Sequence, residues 1–208
     1  AAITLATAVA PHEVYVLSTL TGQSCGISHA NDDLMAEVGL QMPDTVELPN
    51  GEGGTVHTWV LKPADYADGG RYPCVLYVHG GPSLQYGGRS MPFHELQWLA
   101  ANGFVVVFSN PRGSTGYGEE HTRAIRGDWG NKDFADIMTV ADYAASLPYV
   151  DATRMAIIDR AALPAQPGRE DHLVGAGRHT LRGRDEIVVL LAGGHRGPEP
   201  LQAATSVV

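Results

Sequence analysis

The chain has 208 residues, of which 44% are hydrophobic and 18% are charged, and its formal net charge is -9. This length and composition suit a globular protein that buries the core of one domain, with room for part of another. The acidic balance and the presence of only two lysines, Lys62 and Lys132, exclude the clustered basic surface that binds nucleic-acid phosphates. No apolar run approaches the roughly 18 residues that a membrane-spanning helix requires. Neither a nucleic acid nor a membrane is therefore an expected partner.

Residues 1–40 are predicted to form a small β-sheet module rather than a whole domain. The apolar opening run Ala1–Ala10 predicts one strand. Further short elements follow in chain order, namely a strand over 13–17, a turn at 21–22, a strand over 24–28 and a helical segment over about 32–38.

From Asp44 to Ile158 the pattern changes, because strands alternate with helices. Residues 45–48 and 55–61 flank a Pro- and Gly-rich turn and predict a hairpin. The later elements are strands over 73–78, 104–108 and 154–158 and helices over about 93–102, 119–125 and 133–147. Alternating strands and helices favour a mostly parallel sheet covered by helices, the α/β class.

The two cysteines, Cys25 and Cys74, match no spacing of a metal or redox site. Free cysteines usually behave as small buried hydrophobic residues, so the sequence predicts two buried free thiols. Unpaired cysteines favour a reducing compartment, and the chain is accordingly predicted to be cytoplasmic.

Two of the apolar strands end in glycine-containing loops. Pro73–Val78 is followed by His79-Gly80-Gly81-Pro82, and Phe104–Phe108 is followed by the segment 110–118. In α/β-hydrolases, backbone N–H groups of a glycine-rich loop after an early strand stabilise the charge that develops on an attacked carbonyl. His79, Gly80 and Gly81 are therefore the candidates for an oxyanion loop. Arg112 and Ser114 are predicted to brace the loops near this site rather than to touch substrate.

These segments together resemble the prolyl oligopeptidase family of serine peptidases, most closely its acylaminoacyl-peptidase and dipeptidyl-aminopeptidase branch. The matching segments follow the family's order and are 11–20, 31–32, 72–82, 95–100, 110–118, 127–130 and 149–154. The resemblance covers about residues 1–158. It implies a remnant of the last β-propeller blade over 1–40 and the N-terminal half of an α/β-hydrolase peptidase domain over 41–158. It also implies hydrolysis of short or N-blocked peptides by a Ser/His/Asp triad through an acyl-enzyme, without a cofactor.

The last 50 residues differ from the rest of the chain. All 15 aromatic residues lie within 1–158, whereas six of the twelve arginines lie in the tail 159–208. The resemblance would place the nucleophile at position 161 within a Gly-Gly-Ser-Tyr-Gly-Gly turn, but this sequence has Asp-Arg-Ala-Ala-Leu-Pro over 159–164. The triad is therefore expected to be absent and the chain to be inactive alone, as a fragment of such a peptidase. A reading-frame shift or a misassembled gene is favoured over true divergence, and the tail is expected to be poorly ordered.

Two other functions remain as alternatives, namely a non-catalytic binding protein derived from the enzyme and an esterase-like α/β-hydrolase. The segment Gly22–Gly26 contains Ser24 in a Gly-x-Ser-x-Gly pattern, but it precedes the oxyanion loop, whereas the nucleophile of this fold follows that loop. His94-Glu95 resembles the start of a zinc-protease helix, yet position 98 is Trp where the second His ligand is required. Neither pattern predicts a catalytic or metal site.

Overall fold

The computed structural model describes residues 1–81, 83–87, 93–159, 177–179 and 187–191. Its strands and helices, in chain order, are β1 (Ala2–Thr7), β2 (Ala10–Leu17), β3 (Ser24–Gly26), α1 (Asp32–Glu37), β4 (Asp44–Pro49), β5 (Thr55–Leu61), β6 (Tyr72–Val78), α2 (Phe93–Ala101), β7 (Val105–Asn110), α3 (Glu119–Arg123), α4 (Lys132–Ser146), β8 (Val150–Asp159), β9 (Gly177–His179) and β10 (Ile187–Leu191). None of the helices in the described ranges combines the length and the apolar character needed to cross a membrane.

The first sheet is a three-stranded antiparallel sheet in the order β1-β2-β3. The prediction of one strand over Ala1–Ala10 is wrong, because the chain turns at Ala8 and Val9 and β2 begins at Ala10. No Gly or Pro marks this turn, so the apolar run gives no sign of it. The later strands and the short helix α1 lie where the sequence predicts them.

The second sheet has seven strands in the order β4-β5-β7-β6-β8-β10-β9. Its four central strands, β7, β6, β8 and β10, run parallel to one another. The prediction of a mostly parallel sheet needs correction, because the β4/β5, β5/β7 and β10/β9 pairs are antiparallel. The tight turn between β4 and β5 forces an antiparallel hairpin, since parallel neighbours need a long crossover, usually a helix. The sheet is mixed, and helices pack on it.

Side chains on the two faces of this sheet pack into two separate hydrophobic clusters. All six residues of β7 are buried, as is usual for a strand covered on both faces. Because side chains alternate along a strand, Val105 and Val107 pack in the cluster that contains residues of α4. Val106 and Phe108 pack in the cluster that contains Leu96 and Leu99 of α2. The helices thus fix the sheet from both sides and set the positions of the loops at its edge.

Gln97 of α2 links the two parts of the structure. Its side-chain amide donates to the carbonyl oxygens of Ala8 (3.2 Å) and Gln41 (2.7 Å), and its Oε1 accepts from the Gln41 N–H (2.9 Å). Gln97 is 8% exposed, so these bonds satisfy a buried amide. The turn between β1 and β2 is therefore held against helix α2 by one side chain.

The two cysteines have different environments. Cys74 in β6 is buried, and burial raises the pKa of its thiol to about 12. Cys25 in β3 is exposed, so the prediction of two buried thiols is wrong for this residue. The small first sheet buries too little surface to cover β3.

Two short strands come from the tail that the sequence sets apart. The apolar run Ile187–Leu191 forms β10, which pairs parallel to β8 with Ile187 opposite Met155. Strand β9 pairs with β10. The remaining residues of the tail, including Ala161 at the expected place of the nucleophile, lie outside the described residues.

Candidate functional site

The site begins where β6 ends, in the middle of the second sheet. His79, Gly80 and Gly81 follow Val78 directly, and β6 lies between β7 and β8. The carboxyl ends of parallel strands are the usual place for ligand sites in open α/β sheets. The three oxyanion-loop candidates therefore lie at a position suited to a reacting group, whereas Pro82 lies outside the described residues.

Gly81 has a conformation that other residues rarely adopt. Its φ is +137°, and a Cβ built on it would lie 2.9 Å from the backbone nitrogen of Leu84 and 3.0 Å from that of Ser83. Both the positive φ and the close approach of backbone atoms require glycine here. The loop consequently turns tightly after Gly80 and brings the segment 83–87 back over the end of the sheet.

Both ring nitrogens of His79 have protein partners. Nδ1 lies 3.0 Å from the carbonyl oxygen of Gly80, and Nε2 lies 2.9 Å from Oγ of Ser114. A carbonyl oxygen only accepts, so Nδ1 carries the proton and donates. Burial lowers the pKa of His79, and the hydrogen bond to Gly80 opposes this effect only in part. The lowered pKa favours the neutral ring. In the neutral ring Nε2 can only accept a hydrogen bond, for which the Ser114 hydroxyl is within reach, and the ring has no donor left for a substrate.

Ser114 belongs to the loop that follows β7. It is 1% exposed, and its Oγ lies 2.7 Å from the Pro111 carbonyl oxygen as well as near His79. The single hydroxyl proton therefore has two acceptors within reach. Ser114 joins the loop after β7 to the loop after β6.

Asn110 makes a second connection between the same two loops. It ends β7 and is 1% exposed; its side-chain oxygen accepts from the Tyr86 N–H (2.7 Å), and its amide donates to the Tyr86 carbonyl (2.9 Å). The Thr115 N–H adds a bond to the Leu84 carbonyl (3.0 Å). Sequence reasoning assigned no role to Asn110. The polar pair Ser109-Asn110 at the end of an otherwise apolar strand is the signal that could have identified it.

Tyr117 extends this network to the neighbouring strand β5. Its hydroxyl accepts from the Asn110 amide (2.8 Å) and lies 2.9 Å from Nδ1 of His57. Burial raises the pKa of Tyr117; the Asn110 bond opposes this effect and the charge of Glu47 adds to it. The His57 ring stacks on Trp59 with the centroids 4.0 Å apart. His57 and Tyr117 were also missed from the sequence, because their contact joins residues 60 positions apart.

Arg112 turns away from His79 and binds helix α4. Its guanidinium donates through Nε and NH2 to Asp136 at 2.7–3.1 Å, and its backbone N–H also donates to Asp136 (2.7 Å). Asp136 is fully buried. On the outer side NH1 lies 2.8 Å from Glu52 Oε2, an ion pair outside hydrogen-bond alignment, and Lys132 also contacts Glu52 (2.9 Å). The Lys132 ammonium, and after it the Arg112 guanidinium, hold the pKa of Glu52 below its ordinary value.

Arg112 therefore anchors the start of the loop that carries Ser114. Fully buried charge pairs with several hydrogen bonds give a defined geometry, since removing either partner leaves an uncompensated charge. The next residue, Gly113, has φ +101°, and a Cβ there would overlap Ile125 at 2.3 Å from its Cδ1. The loop is thus fixed at its first two positions, and Ser114 follows directly.

Comparison with known proteins identifies a family that this chain resembles. Residues 90–158 match the model of the prolyl oligopeptidase family. The expected family resemblance is confirmed. The chain is 38% identical over 148 residues to the uncharacterized peptidase YuxL of Bacillus subtilis, and the match covers 71% of this chain and 22% of that protein.

Solved acylaminoacyl peptidases share the fold. An acylaminoacyl peptidase of Pyrococcus horikoshii superposes with a TM-score of 0.67 and 27% identity, over 75% of this chain and 25% of that one. An acylaminoacyl peptidase in complex with Z-Gly-Gly-Phe-chloromethyl ketone matches with the same TM-score, identity and coverage. The predicted α/β-hydrolase class with a propeller-type segment is confirmed. The chain spans less than a quarter of the curated relative and a quarter of the solved chains it matches.

The other sequence patterns do not join this site. Ser24 lies on the exposed strand β3 of the first sheet, not in the sheet that carries His79. His94 opens α2 with an exposed side chain. Among residues 1–81, 83–87 and 93–159 no group of three His, Cys, Asp or Glu side chains is arranged to hold a metal ion.

Proposed function

We propose that the loop His79–Gly81 is the oxyanion-binding part of a serine peptidase that hydrolyses short or N-blocked peptides through an acyl-enzyme. The observation that supports this role is the tight turn at Gly81, with φ +137° directly after the central strand β6. Such a turn leaves backbone N–H groups at the edge of the sheet, where a developing oxyanion needs donors that are already oriented. Relatives are described as peptidases, and one was solved with a peptidyl chloromethyl ketone.

Within this proposal the donor is the N–H of Gly81, not the His79 ring. The ring cannot donate to substrate in its neutral form, because its one proton is engaged by the Gly80 carbonyl. Arg112 and Ser114 act at a distance from substrate by fixing the loop after β7 against α4 and His79. Peptide specificity would come from parts of a complete enzyme beyond these residues.

We further propose that the 208-residue chain supplies no nucleophile of its own. The basis is the sequence, in which Ala161 stands at the position expected for the serine and the surrounding residues lack the glycines of that turn. The purified chain should not react with a fluorophosphonate probe, since such probes need a base-activated serine. Ser24→Ala is the matched variant, because labelling that disappears in it would assign the nucleophile to Ser24 and overturn this part of the proposal.

The oxyanion role requires an active chimera for its test. Residues 1–158 would be joined to the C-terminal half of a related acylaminoacyl peptidase, with that enzyme's preceding propeller blades. Activity on an aminoacyl-nitroanilide rather than a nitrophenyl ester would favour a peptidase over an esterase. An inactive chimera that folds and binds a peptide ligand would instead favour the non-catalytic binding protein.

The sharpest perturbation in the chimera is an amide-to-ester replacement at Gly81. It removes the N–H and keeps the backbone conformation, whereas Gly81→Ala would meet the Leu84 nitrogen and Gly81→Pro demands a negative φ. Loss of one oxyanion donor lowers kcat by about 100- to 1000-fold. The same replacement at Gly87, which has open space around it, is the control. An unchanged kcat at Gly81 would remove it as the donor.

A further inference from the structure

The His79 ring controls the orientation of one peptide unit of the loop. Its Nδ1–H donates to the carbonyl oxygen of Gly80 over 3.0 Å. That carbonyl and the N–H of Gly81 belong to the same planar trans peptide, so they point in opposite directions. Holding the Gly80 oxygen toward the ring therefore directs the Gly81 N–H away from it, to the side where a substrate carbonyl would lie.

This arrangement requires one particular tautomer of the ring. If the proton were on Nε2, a lone pair on Nδ1 would face the lone pairs of the Gly80 oxygen, and the contact would be repulsive. The tautomer of a histidine is set by the hydrogen bond that its other nitrogen makes. For His79 the partner of the other nitrogen is the Ser114 hydroxyl, 2.9 Å from Nε2. The Pro111 carbonyl oxygen, 2.7 Å from the same Oγ, competes for the hydroxyl proton. An unprotonated Nε2 that faced a lone pair of Oγ would be repelled, so the Nδ1–H tautomer requires the proton to lie toward Nε2.

Ser114 is suited to this task because its own position is fixed. It is 1% exposed and lies two residues after Arg112, which binds the fully buried Asp136. Its carbonyl oxygen also accepts from the Thr122 hydroxyl (3.0 Å). On the other side the His79 ring contacts the Tyr86 ring edge to face, with the centroids 5.0 Å apart. The hydroxyl and the ring thus meet in a closely packed space.

We propose that Ser114 is a positioning residue that donates to Nε2 of His79, holds the ring in its Nδ1–H tautomer and thereby fixes the direction of the Gly81 N–H. The significance of that direction rests on the proposed oxyanion role of Gly81. The orientation itself is a property of the chain and can be measured without catalysis.

The test is ¹⁵N NMR of the 208-residue chain with labelled histidine, which distinguishes protonated from unprotonated ring nitrogens. His79→Gln identifies the signals of His79 among the nine histidines. The wild-type chain should have the proton on Nδ1. In Ser114→Ala the ratio of the tautomers should move toward Nε2–H about fivefold, the effect of losing one neutral hydrogen bond. The Gly81 amide signal should shift in the same variant.

Thr122→Val is the matched control for a merely structural role, because it removes the hydrogen bond to the Ser114 carbonyl oxygen and leaves the Ser114 hydroxyl in place. It should change both signals much less than Ser114→Ala does, and Ser114→Cys, which keeps a weaker donor, should give an intermediate ratio. A proton on Nε2 in the wild-type chain overturns the proposal, even if Ser114→Ala does not fold. An equal response to Thr122→Val assigns Ser114 a merely structural role. If the Nδ1–H tautomer is found but the chimera with the ester at Gly81 keeps full activity, the positioning role of Ser114 stands. The oxyanion role of Gly81 is then refuted.

Discussion

The first sheet and the helix α4 that packs on the second sheet each contain a carboxylate that accepts several hydrogen bonds, and the two carboxylates lie in opposite surroundings. In the first sheet Glu13 accepts from the Ser28 hydroxyl, the Ala30 N–H and both the N–H and the side-chain amide of Asn31. In α4, Asp136 accepts from the backbone and guanidinium of Arg112. Glu13 is partly exposed to solvent, whereas Asp136 is fully buried.

The difference follows from what each sheet covers. No residue of β1, β2 or β3 is buried, whereas every residue of β7 is. Hydrophobic burial therefore supports the second sheet, and the first depends more on polar bonds between its strands and turns. A buried charge must be matched by its partner, because desolvation penalises it strongly when unpaired. A charge at the surface stays hydrated in either state, so its pairs add little to the stability of the fold.

The largest effect is expected for Asp136→Ala. This change removes the buried partner of the Arg112 guanidinium and of its backbone N–H and leaves only the half-exposed Glu52 as a charged partner, so the free energy of unfolding should fall by about 3–5 kcal/mol. Urea denaturation at fixed protein concentration measures it. The control is Glu119→Ala, which removes the exposed pair with Arg123 and should cost under about 0.5 kcal/mol. Similar losses in both variants would contradict the contrast between buried and exposed pairs.

A second comparison uses one leucine from each sheet. Leu76 in β6 is 1% exposed and Leu5 in β1 is 43% exposed. Leu76→Ala should cost about 2–5 kcal/mol, since it leaves a cavity in the cluster beneath α4. Leu5→Ala should stay within about 0.5 kcal/mol, as for most surface changes. The same urea denaturation measures the free energy of unfolding of both variants. A large decrease in Leu5→Ala would mean that the first sheet has a core of its own in solution.

The smallest expected effect is a change in how the local stability of the first sheet depends on pH. Hydrogen bonds from Ser28 and then Asn31 lower the pKa of Glu13 from 4.5 to about 2. A lowered folded-state pKa means that the ionised form favours the folded state, so this contribution is present above pH 4.5 and is lost as the pH falls toward 2. In Glu13→Gln the amide protection of β2 and β3, measured by hydrogen exchange, should lose its dependence on pH in this window.

Asp151 offers the matched control for that measurement. Bonds from Thr153 and Arg154 lower its pKa to about 2 as well, but it lies in β8 of the second sheet. Asp151→Asn should therefore leave the acid response of β2 and β3 unchanged. If the two variants alter this response equally, the acid sensitivity of the first sheet does not originate at Glu13.

Much of the backbone could be predicted from sequence because it depends on local patterns. The hairpin of β4 and β5, the strands β6 and β7 and the helices α2 and α4 have the spacing of apolar residues that their structures require. The turn at Ala8 and the exposure of Cys25 were not predictable in this way. Neither has a local signal, since the first depends on pairing with β2 and the second on how little surface covers β3.

The α/β class, the order of the elements and the place of the glycine loop after β6 follow from the amino-acid sequence alone, because periodicity and Gly residues act over a few positions. The family was also indicated by motifs that follow one another in order. The contacts of His79 with Ser114, of Asn110 with Tyr86 and of Arg112 with Asp136 depend on how the chain packs in three dimensions. These pairs are 24 to 35 residues apart, and their geometry arises from packing two loops and a helix at one edge of the sheet.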